Sequence, residues 1–198
     1  MEIKLASKND SREIAAIHQQ EINQGFLSQL GVRFLSKLYE AMILSENCFI
    51  VVAEENNQIV GFISGCLNTE EFYREFLKKY GYGSMIILLP KILNFTILKK
   101  ILETLRYSKK IDKNCPEAEL LTIACKKEFR GTGLSTDMFN GFIGETRKRG
   151  IKEFKVVVGE ELSRAVGFYE KLGFKLHSNV TIHKGSSSRI YIYNVSSL

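Results

Sequence analysis

The chain has 198 residues, 44% of them hydrophobic and 25% charged, a composition typical of a globular protein with a single core. It has no uninterrupted apolar stretch of about 18 residues, and its first ten residues, MEIKLASKND, carry charges where a signal peptide needs an apolar core. We therefore expect a cytoplasmic protein rather than a membrane-spanning or secreted one. The net charge of +6 favours anionic ligands without choosing between nucleic acid, a membrane surface and a phosphorylated cofactor.

The N-terminal third of the chain has the pattern of a strand, two helices and a hairpin. EIKLA alternates as a strand does, and SREIAAIHQQEI repeats isoleucines at helical spacing after the candidate cap Ser11. VRFLSKLYEAMIL also repeats the helical period. CFIVVAEENNQIVGFISGCL contains two strand patterns, and Asn56-Asn57 between them predicts a hairpin turn.

The middle of the chain combines a long helical stretch with a buried strand. Residues 68–117 are mostly helical in pattern, are interrupted by Gly81, Gly83 and Pro90, and become rich in lysine toward their end. AELLTIAC has too many successive apolar residues for a strand with one face in water. It is therefore expected to be a central strand covered on both sides.

The C-terminal third alternates helices and strands. A helix is predicted over residues 133–149, where Leu134, Met138, Phe142 and Ile143 form the buried stripe and Glu145 faces water. The strand FKVVV, the short helix SRAVGFYEKLG and the strands FKLHSNVTIH and RIYIYNV follow. The whole pattern predicts an α/β fold with a mixed sheet and helices on both faces. We expect one domain over residues 1–198, with residues 68–117 as a helical insertion between the third and fourth strands.

Four cysteines, Cys48, Cys66, Cys115 and Cys125, show neither CxxC spacing nor the density of a disulfide scaffold. We expect them to be reduced and mostly buried. No His, Cys or Asp cluster has metal-ligand spacing, so no metal is expected.

The segment RGTGLS, residues 130–135, predicts an anion site. Gly131 and Gly133 precede the helix, where the first amides lack partners and the helix dipole is positive, and Arg130 adds a permanent charge. Absent side chains would let phosphate oxygens reach those amides. The segment lacks the GxxxxGK[ST] pattern of a P-loop, and Thr136 stands where a dinucleotide fingerprint needs glycine.

RGTGLS instead resembles the pyrophosphate loop of the GNAT superfamily of acetyl-CoA-dependent N-acetyltransferases, whose pattern is Q/R-x-x-G-x-G/A. It departs from that pattern at Ser135, a residue still small enough for a close approach to the amides. RAVGFYEKLGF, residues 164–174, resembles the late helix of the same family, A-x-x-F-Y-x-K-x-G-F. Leu162 stands where the family commonly carries an asparagine that contacts the cofactor.

The resemblance implies a mostly antiparallel sheet in which two central parallel strands splay apart to admit the pantetheine arm of acetyl-CoA. It also implies a set of cofactor-binding residues in the strand end, the loop and the late helix. These are Ile123, Ala124, Cys125, Arg130, Gly131, Thr132, Gly133, Leu134, Ser135, Phe168 and Lys171. Because the strand contacts are made by the backbone, Cys125 is interpreted as a core thiol rather than a nucleophile.

The implied chemistry is attack of an amine on the acetyl thioester, which needs oxyanion donors, a base and a proton donor for the thiolate. Tyr169 resembles the tyrosine that supplies that proton in the family. Glu119, eleven residues before Arg130, resembles in its offset the catalytic glutamate of the histone acetyltransferase branch and is the candidate base or water relay. A solvated strand end is the simpler explanation of Glu119. His18 and Glu21 on the first helix are candidates for the acceptor side.

Residues 68–117 match no family pattern, and three interpretations stay open. Their helices could cap the sheet or bury a homodimer face, or lie on a membrane surface. They could also form a lid over the acceptor, with contacts from Tyr73, Arg74, Tyr80, Tyr82, Arg106 and Tyr107. No motif that reads bases accompanies the basic residues, so nucleic acid is not an expected partner.

The expected acceptor is a small-molecule amine such as an amino sugar or a nucleotide-linked amino sugar. The alternatives are a protein or peptide N-acetyltransferase, which needs an open groove, and a non-catalytic CoA-binding regulatory module.

Overall fold

A computed structural model of the chain describes residues 1–22, 26–92, 103, 114–181 and 187–195. Its centre is a seven-stranded sheet with the order β1-β2-β3-β4-β5-β7-β6. The strands are β1 Glu2–Leu5, β2 Cys48–Glu55, β3 Gln58–Cys66, β4 Glu119–Cys125, β5 Glu153–Gly159, β6 Lys175–Thr181 and β7 Ser187–Asn194. All neighbouring pairs are antiparallel except β4 and β5, which are parallel.

Among the described residues, five α-helices with the bounds given below cover the two faces of the sheet, which confirms the predicted α/β class. They are α1 Ser11–Glu21, α2 Val32–Leu44, α3 Thr69–Ile92, α4 Leu134–Lys148 and α5 Ser163–Lys171. Buried residues of α1, α2 and α3 form one core with the sheet, and those of α4 and α5 form a second core on the opposite face. The fold thus has a helical layer on each side of one sheet.

The predicted hairpin at Asn56-Asn57 is confirmed. Both residues have positive φ, 50° and 61°, which gives the two-residue turn whose twist suits antiparallel strands. A bulge then places Val60 as an extra residue in β3, and the Ile59 amide donates to the Glu13 carboxylate at 3.0 Å. Helix α1 is therefore anchored to the sheet by a hydrogen bond as well as by packing.

β4 is the central strand that the sequence predicts. Leu120 and Cys125 belong to the core under α4, whereas Ala124 belongs to the core under α1 and α2. The pairing of β4 with β5 is limited to Glu119 with Lys155 and Leu120 with Val156. Residues 121–125 therefore have no partner in β5, and the expected splayed gap between the two parallel strands is present.

Helix α4 buries the predicted stripe of Leu134, Met138, Phe142 and Ile143. Glu145, expected in water, is buried instead. Its carboxylate pairs with the Arg149 guanidinium at 2.9 Å, and that guanidinium lies 4.9 Å from the centre of the Phe49 ring. The charge of Arg149 compensates the desolvation of the carboxylate. Helical periodicity alone does not reveal that Glu145 is buried.

Cys48, Cys66, Cys115 and Cys125 are all reduced and all buried, as expected. Cys48 and Cys66 face each other across β2 and β3, with the Cys48 thiol donating to the Cys66 sulfur at 2.9 Å. Within the described ranges, no helix is long and apolar enough to cross a membrane.

Helix α3 lies between β3 and β4 in the chain, and its first half packs on α2. The rings of Phe76 and Phe34 meet edge to face at 6.1 Å between centroids. The two ends of the 68–117 stretch are held together, because the Asn68 side-chain amide donates to the Glu117 carboxylate at 3.1 Å. Of the predicted lid residues, Arg106, Tyr107 and the side chain of Tyr82 lie outside the described residues.

Candidate active site

The loop between β4 and α4 has a backbone that only glycine adopts easily. Gly131 and Gly133 have φ of +79° and +92°, in the left-handed region that a Cβ disfavours. The Thr132 hydroxyl donates to the Phe129 carbonyl at 2.8 Å and fixes the turn. The Gly133 carbonyl then accepts from the Thr136 and Asp137 amides and begins α4.

The same loop is open to solvent. No atom lies within 4 Å of the position that a Cβ would take on Gly131 or Gly133, apart from each glycine's chain neighbours. Within the described part of the chain, no hydrogen-bond acceptor takes the amides of residues 131–135. These donors stand at the positive end of the α4 dipole, so the loop is a cradle for an anion.

Arg130 and Glu21 form an ion pair that joins this loop to α1. Glu21 is the last residue of α1 and its side chain is mostly buried, whereas the Arg130 side chain is about half exposed. The pair brings the end of α1 over the end of β4. Glu21 therefore lies at the loop rather than free on the acceptor side.

The open edge of β4 begins immediately before this loop. Ile123, Ala124 and Cys125 pair with β3 on one side only, since β5 has already diverged. Backbone donors and acceptors directed to the open edge are available to a ligand that enters between the strands.

Cys125 is a buried thiol with weak nucleophilic character. Burial raises its pKa, against the opposing effects of a hydrogen bond from Ser135 and the charge of Arg130. A thiol that stays protonated is a poor nucleophile.

Helix α5 places the predicted late-helix residues in three different environments. Tyr169 is only 5% exposed, and its ring packs against those of Phe168 and Phe174 at centroid distances of 5.6 and 5.2 Å. Phe168 is half-buried, and Lys171 is exposed. Burial raises the pKa of Tyr169, so its phenol keeps its proton at neutral pH.

Glu119 is not a solvated strand end. It is 5% exposed, and its carboxylate lies 3.7 Å from the ammonium of Lys155, which is also buried. Lys155 donates to the Glu117 carbonyl at 3.0 Å and to that of Pro116. Glu119 therefore lies at the closed end of β4, where its charge is compensated by a neighbouring lysine.

A second polar cluster lies near the middle of β4, and sequence reasoning missed two of its three members. His18 and Tyr39 are 3% and 2% exposed, and His18 Nδ1 lies 2.5 Å from the Tyr39 hydroxyl. Burial raises the pKa of Tyr39, and a hydrogen bond with Thr122 opposes that rise. Burial lowers the pKa of His18 to about 4, so its imidazole is neutral at neutral pH. Tyr39 lies within the apolar stripe of α2, so the sequence could have indicated a buried phenol, and a buried phenol needs a hydrogen-bond partner.

Two cavities lie away from the β4–β5 gap. One of about 340 Å³ lies between the end of α2, the end of β1 and Arg149, and one of about 60 Å³ lies between α2 and α3. Neither contains a residue that the sequence assigns to catalysis or cofactor binding. Across the described ranges, no group of three His, Cys, Asp or Glu side chains is arranged to hold a metal ion.

Comparison with known proteins gives one family and many similar folds. A model of the acetyltransferase (GNAT) family matches residues 18–174. No curated protein sequence matches the chain.

Three solved structures illustrate the shared fold. Aminoglycoside 6'-acetyltransferase type Ii is 14% identical with a TM-score of 0.63, over 98% of this chain and 97% of that one. The protein yncA of Salmonella typhimurium, solved with its cofactor acetyl-CoA, is 16% identical with a TM-score of 0.62, over 98% and 94%. The ribosomal-protein-S18-alanine N-acetyltransferase of Escherichia coli is 14% identical with a TM-score of 0.62, over 100% and 95%.

Proposed function

Because the chain belongs to the GNAT acetyltransferase family and is an acetyl-CoA-dependent N-acetyltransferase, we propose that it moves the acetyl group to a primary amine of a small molecule. One observation carries the proposal: an open glycine loop directly follows the end of a strand, β4, that is hydrogen-bonded to a neighbouring strand on one side only. Gly131 and Gly133 have free space above them, and residues 121–125 lack a partner in β5. A long ligand with an anionic end fits such a site.

The residues of the loop and strand suit the two chemical parts of the cofactor. Amides of residues 131–135 would hold the diphosphate, with Arg130 adding charge, and the backbone of Ile123, Ala124 and Cys125 would hold the pantetheine amides. Phe168 and Lys171 on α5 would contact the arm from the β5 side. When bound, the thioester supplies an activated acetyl group.

Transfer requires the acceptor nitrogen to attack the thioester carbonyl while main-chain amides stabilise the oxyanion. Tyr169 would then donate a hydrogen bond and a proton to the departing sulfur. Its buried phenol remains protonated at neutral pH, which keeps the proton available. Glu119 remains the candidate base or water relay that the sequence analysis names, and the ammonium of Lys155 lies beside its carboxylate.

A small acceptor is favoured over a peptide because α3 covers the face of the sheet on which Glu119 lies. Phe72 and Phe76 of α3 are buried against α2, and Tyr73 lies close enough to Glu119 to sense its charge. A peptide acceptor needs an extended open groove. The structures of similar fold include an enzyme named for aminoglycosides and one named for a ribosomal protein, so similarity alone favours neither class.

Release of free thiol from acetyl-CoA tests the proposal. The full chain is assayed with glucosamine, spermidine and a peptide with a free N-terminus. We expect saturable turnover with at least one of the small amines and little with the peptide. Turnover confined to the peptide would contradict the proposed acceptor class.

A further inference from the structure

Cys48 and Cys66 lie opposite each other at the start of β2 and the end of β3. One residue further out, the Leu67 amide donates to the Asn47 carbonyl at 2.7 Å. Because hydrogen-bonded and non-hydrogen-bonded pairs alternate along antiparallel strands, Cys48 and Cys66 form a non-hydrogen-bonded pair. In such a pair the two Cα atoms are about 4.5 Å apart, and the side chains approach each other more closely than in the other kind.

The two cysteine side chains also lie on the same face of the sheet, and their sulfurs are in contact. Both residues belong to the core that α1, α2 and α3 form with the sheet. The Cys48 thiol donates to the Cys66 sulfur at 2.9 Å. Disulfides join cysteines whose Cα atoms are about 4.4 to 6.8 Å apart. The strand pairing therefore already holds these two thiols within reach of a covalent bond.

A cavity leads from solvent to Cys48. The cavity of about 340 Å³ beside Arg149 is lined by Cys48 and also by Leu5 and Leu44. Leu5 and Leu44 are 48% and 49% exposed, so the cavity is open to solvent on their side. Cys48 and Cys66 are themselves only 2% and 1% exposed. A reagent that reaches them must therefore be small, which favours a peroxide over a bulky disulfide such as oxidised glutathione.

The other two cysteines are placed differently. Cys125 belongs to the core under α4 and α5, on the opposite face of the sheet. Cys115 lies in the segment that precedes β4. The register of β2 and β3 places Cys48 against Cys66. The fold thus selects one pair from the four cysteines.

We propose that Cys48 and Cys66 are an oxidative modification site, at which a small peroxide that enters the cavity converts the two thiols into an intrachain disulfide. The bond joins the start of β2 to the end of β3, and a reducing dithiol reverses it. The inference is independent of the proposed acetyl transfer and concerns a different part of the molecule.

The reaction balances with hydrogen peroxide as the oxidant. One sulfur attacks a peroxide oxygen, so that an S–O bond forms, the O–O bond breaks, and the proton of that thiol leaves with the second oxygen as water. The other sulfur then attacks the sulfenic sulfur, so that the S–S bond forms, the S–O bond breaks, and the remaining thiol proton leaves with the hydroxyl group as a second water. The two sulfurs lose two electrons, and the peroxide gains them.

The environment of the pair sets the pace of this reaction. Burial raises the pKa of Cys48, and its hydrogen bond to Cys66 raises that pKa further. A thiol that keeps its proton reacts slowly, because the thiolate is the nucleophile. We therefore expect oxidation over minutes to hours rather than seconds.

Mapping of the cysteines in the wild-type chain tests the inference. The folded chain is treated with excess hydrogen peroxide, quenched with catalase, unfolded, alkylated with iodoacetamide, digested and analysed by mass spectrometry. We expect two of the four thiols to resist alkylation and one bridged peptide to join Cys48 to Cys66. Treatment with dithiothreitol before alkylation should restore all four thiols.

Thermal unfolding gives a second measurement on the same samples. The two cysteines are 18 residues apart in the chain, so the bridge restricts the unfolded state, and peroxide treatment should raise the Tm by about 5 °C. Cys66→Ser should show neither the bridge nor the rise in Tm. Cys115→Ala, the matched control, should show both. The mapping of the wild-type chain does not depend on whether either variant folds.

Three results would overturn the inference. They are the survival of all four thiols in the treated wild type, a bridge that includes Cys115 or Cys125, and sulfinic acid at Cys48 or Cys66 with no bridge between them.

Discussion

The end of β4 next to the glycine loop and the side of β4 that faces α1–α3 present different kinds of polar group. Beyond Cys125 the proposed ligand-binding groups are main-chain amides in an exposed loop, held by two glycines with positive φ. On the α1–α3 face the polar groups are side chains buried by other elements, such as Tyr39 against His18 and Lys155 against Glu119. The first region depends on absent side chains, and the second depends on which side chains long-range packing brings together.

This difference predicts different responses to mutation. Adding atoms should damage the loop, because its function needs free space and bare donors. Removing single polar atoms should damage the α1–α3 face, because each of these atoms links two elements of the fold. The variants below are ordered from the largest expected effect to the smallest.

Gly133→Val should weaken CoA binding roughly 1000-fold, since it blocks or misdirects about two charge-assisted hydrogen bonds to a diphosphate. The left-handed backbone at this position should also cost about 2 kcal/mol of stability. Calorimetric titration with CoA and thermal unfolding measure the two effects separately.

Gly150→Val is the matched control for the backbone effect. Gly150 has φ of +71° and lies beyond the far end of α4, and apart from its chain neighbours no atom lies within 4 Å of the position that a Cβ would take there. The variant should lose similar stability and keep its affinity for CoA. Equal loss of CoA affinity in both variants would show that strain, rather than occupation of the loop, causes the effect.

His18→Gln should flatten the acid dependence of stability. The folded pKa of His18 is about 4 and the unfolded value about 6.5, so the unfolded chain binds the extra proton between these limits. Stability from the neutral imidazole is fully present above pH 6.5 and is lost as the pH falls toward 4, by about 3 kcal/mol in total. Urea unfolding of both proteins from pH 7 to pH 4 measures the difference. Parallel curves would mean that His18 is solvated in the folded state.

Tyr169→Phe should lower kcat roughly 100-fold while leaving the Kd for CoA unchanged, because it removes the proposed proton donor to the thiolate and keeps the ring. Tyr193→Phe removes a phenol from the same aromatic cluster and serves as the control. Steady-state thiol release measures both. A kcat for Tyr169→Phe no lower than that of Tyr193→Phe would reduce Tyr169 to a packing role.

Glu21→Gln should tighten CoA binding about 3-fold at low salt, since it frees Arg130 for the diphosphate. Glu128→Gln removes the same charge from the neighbouring exposed turn without breaking an ion pair of Arg130. Its effect should be smaller. Identical affinities of the two variants in calorimetry would mean that Glu21 does not compete for Arg130.

The same division explains what the sequence could predict. The loop could be predicted because its two glycines and its arginine, at fixed spacing, meet local requirements for backbone conformation and positive charge. The elements followed from periodicity and from the Asn56-Asn57 turn, which are also local. Partners such as Tyr39 for His18 are far apart in sequence, and no periodicity brings them together.

Buried charges were the hardest to predict. Glu119 and Glu145 both occupy positions where a solvated carboxylate is the simplest expectation, and both are buried. Glu119 lies beside Lys155, a partner far away in the sequence that only the fold brings close. Glu145 pairs with Arg149, which is four residues further along the chain, so the spacing of this pair was visible in the sequence and only the burial of the carboxylate required the fold.

Hydrogen exchange of the wild-type chain with and without acetyl-CoA tests the central claim most directly, because that claim concerns main-chain amides. We expect protection on binding to concentrate in residues 121–125 and 131–135, with β6 unchanged as an internal reference. Protection confined to other segments, such as those around the cavity beside Arg149, with the glycine loop still exchanging freely, would contradict the account.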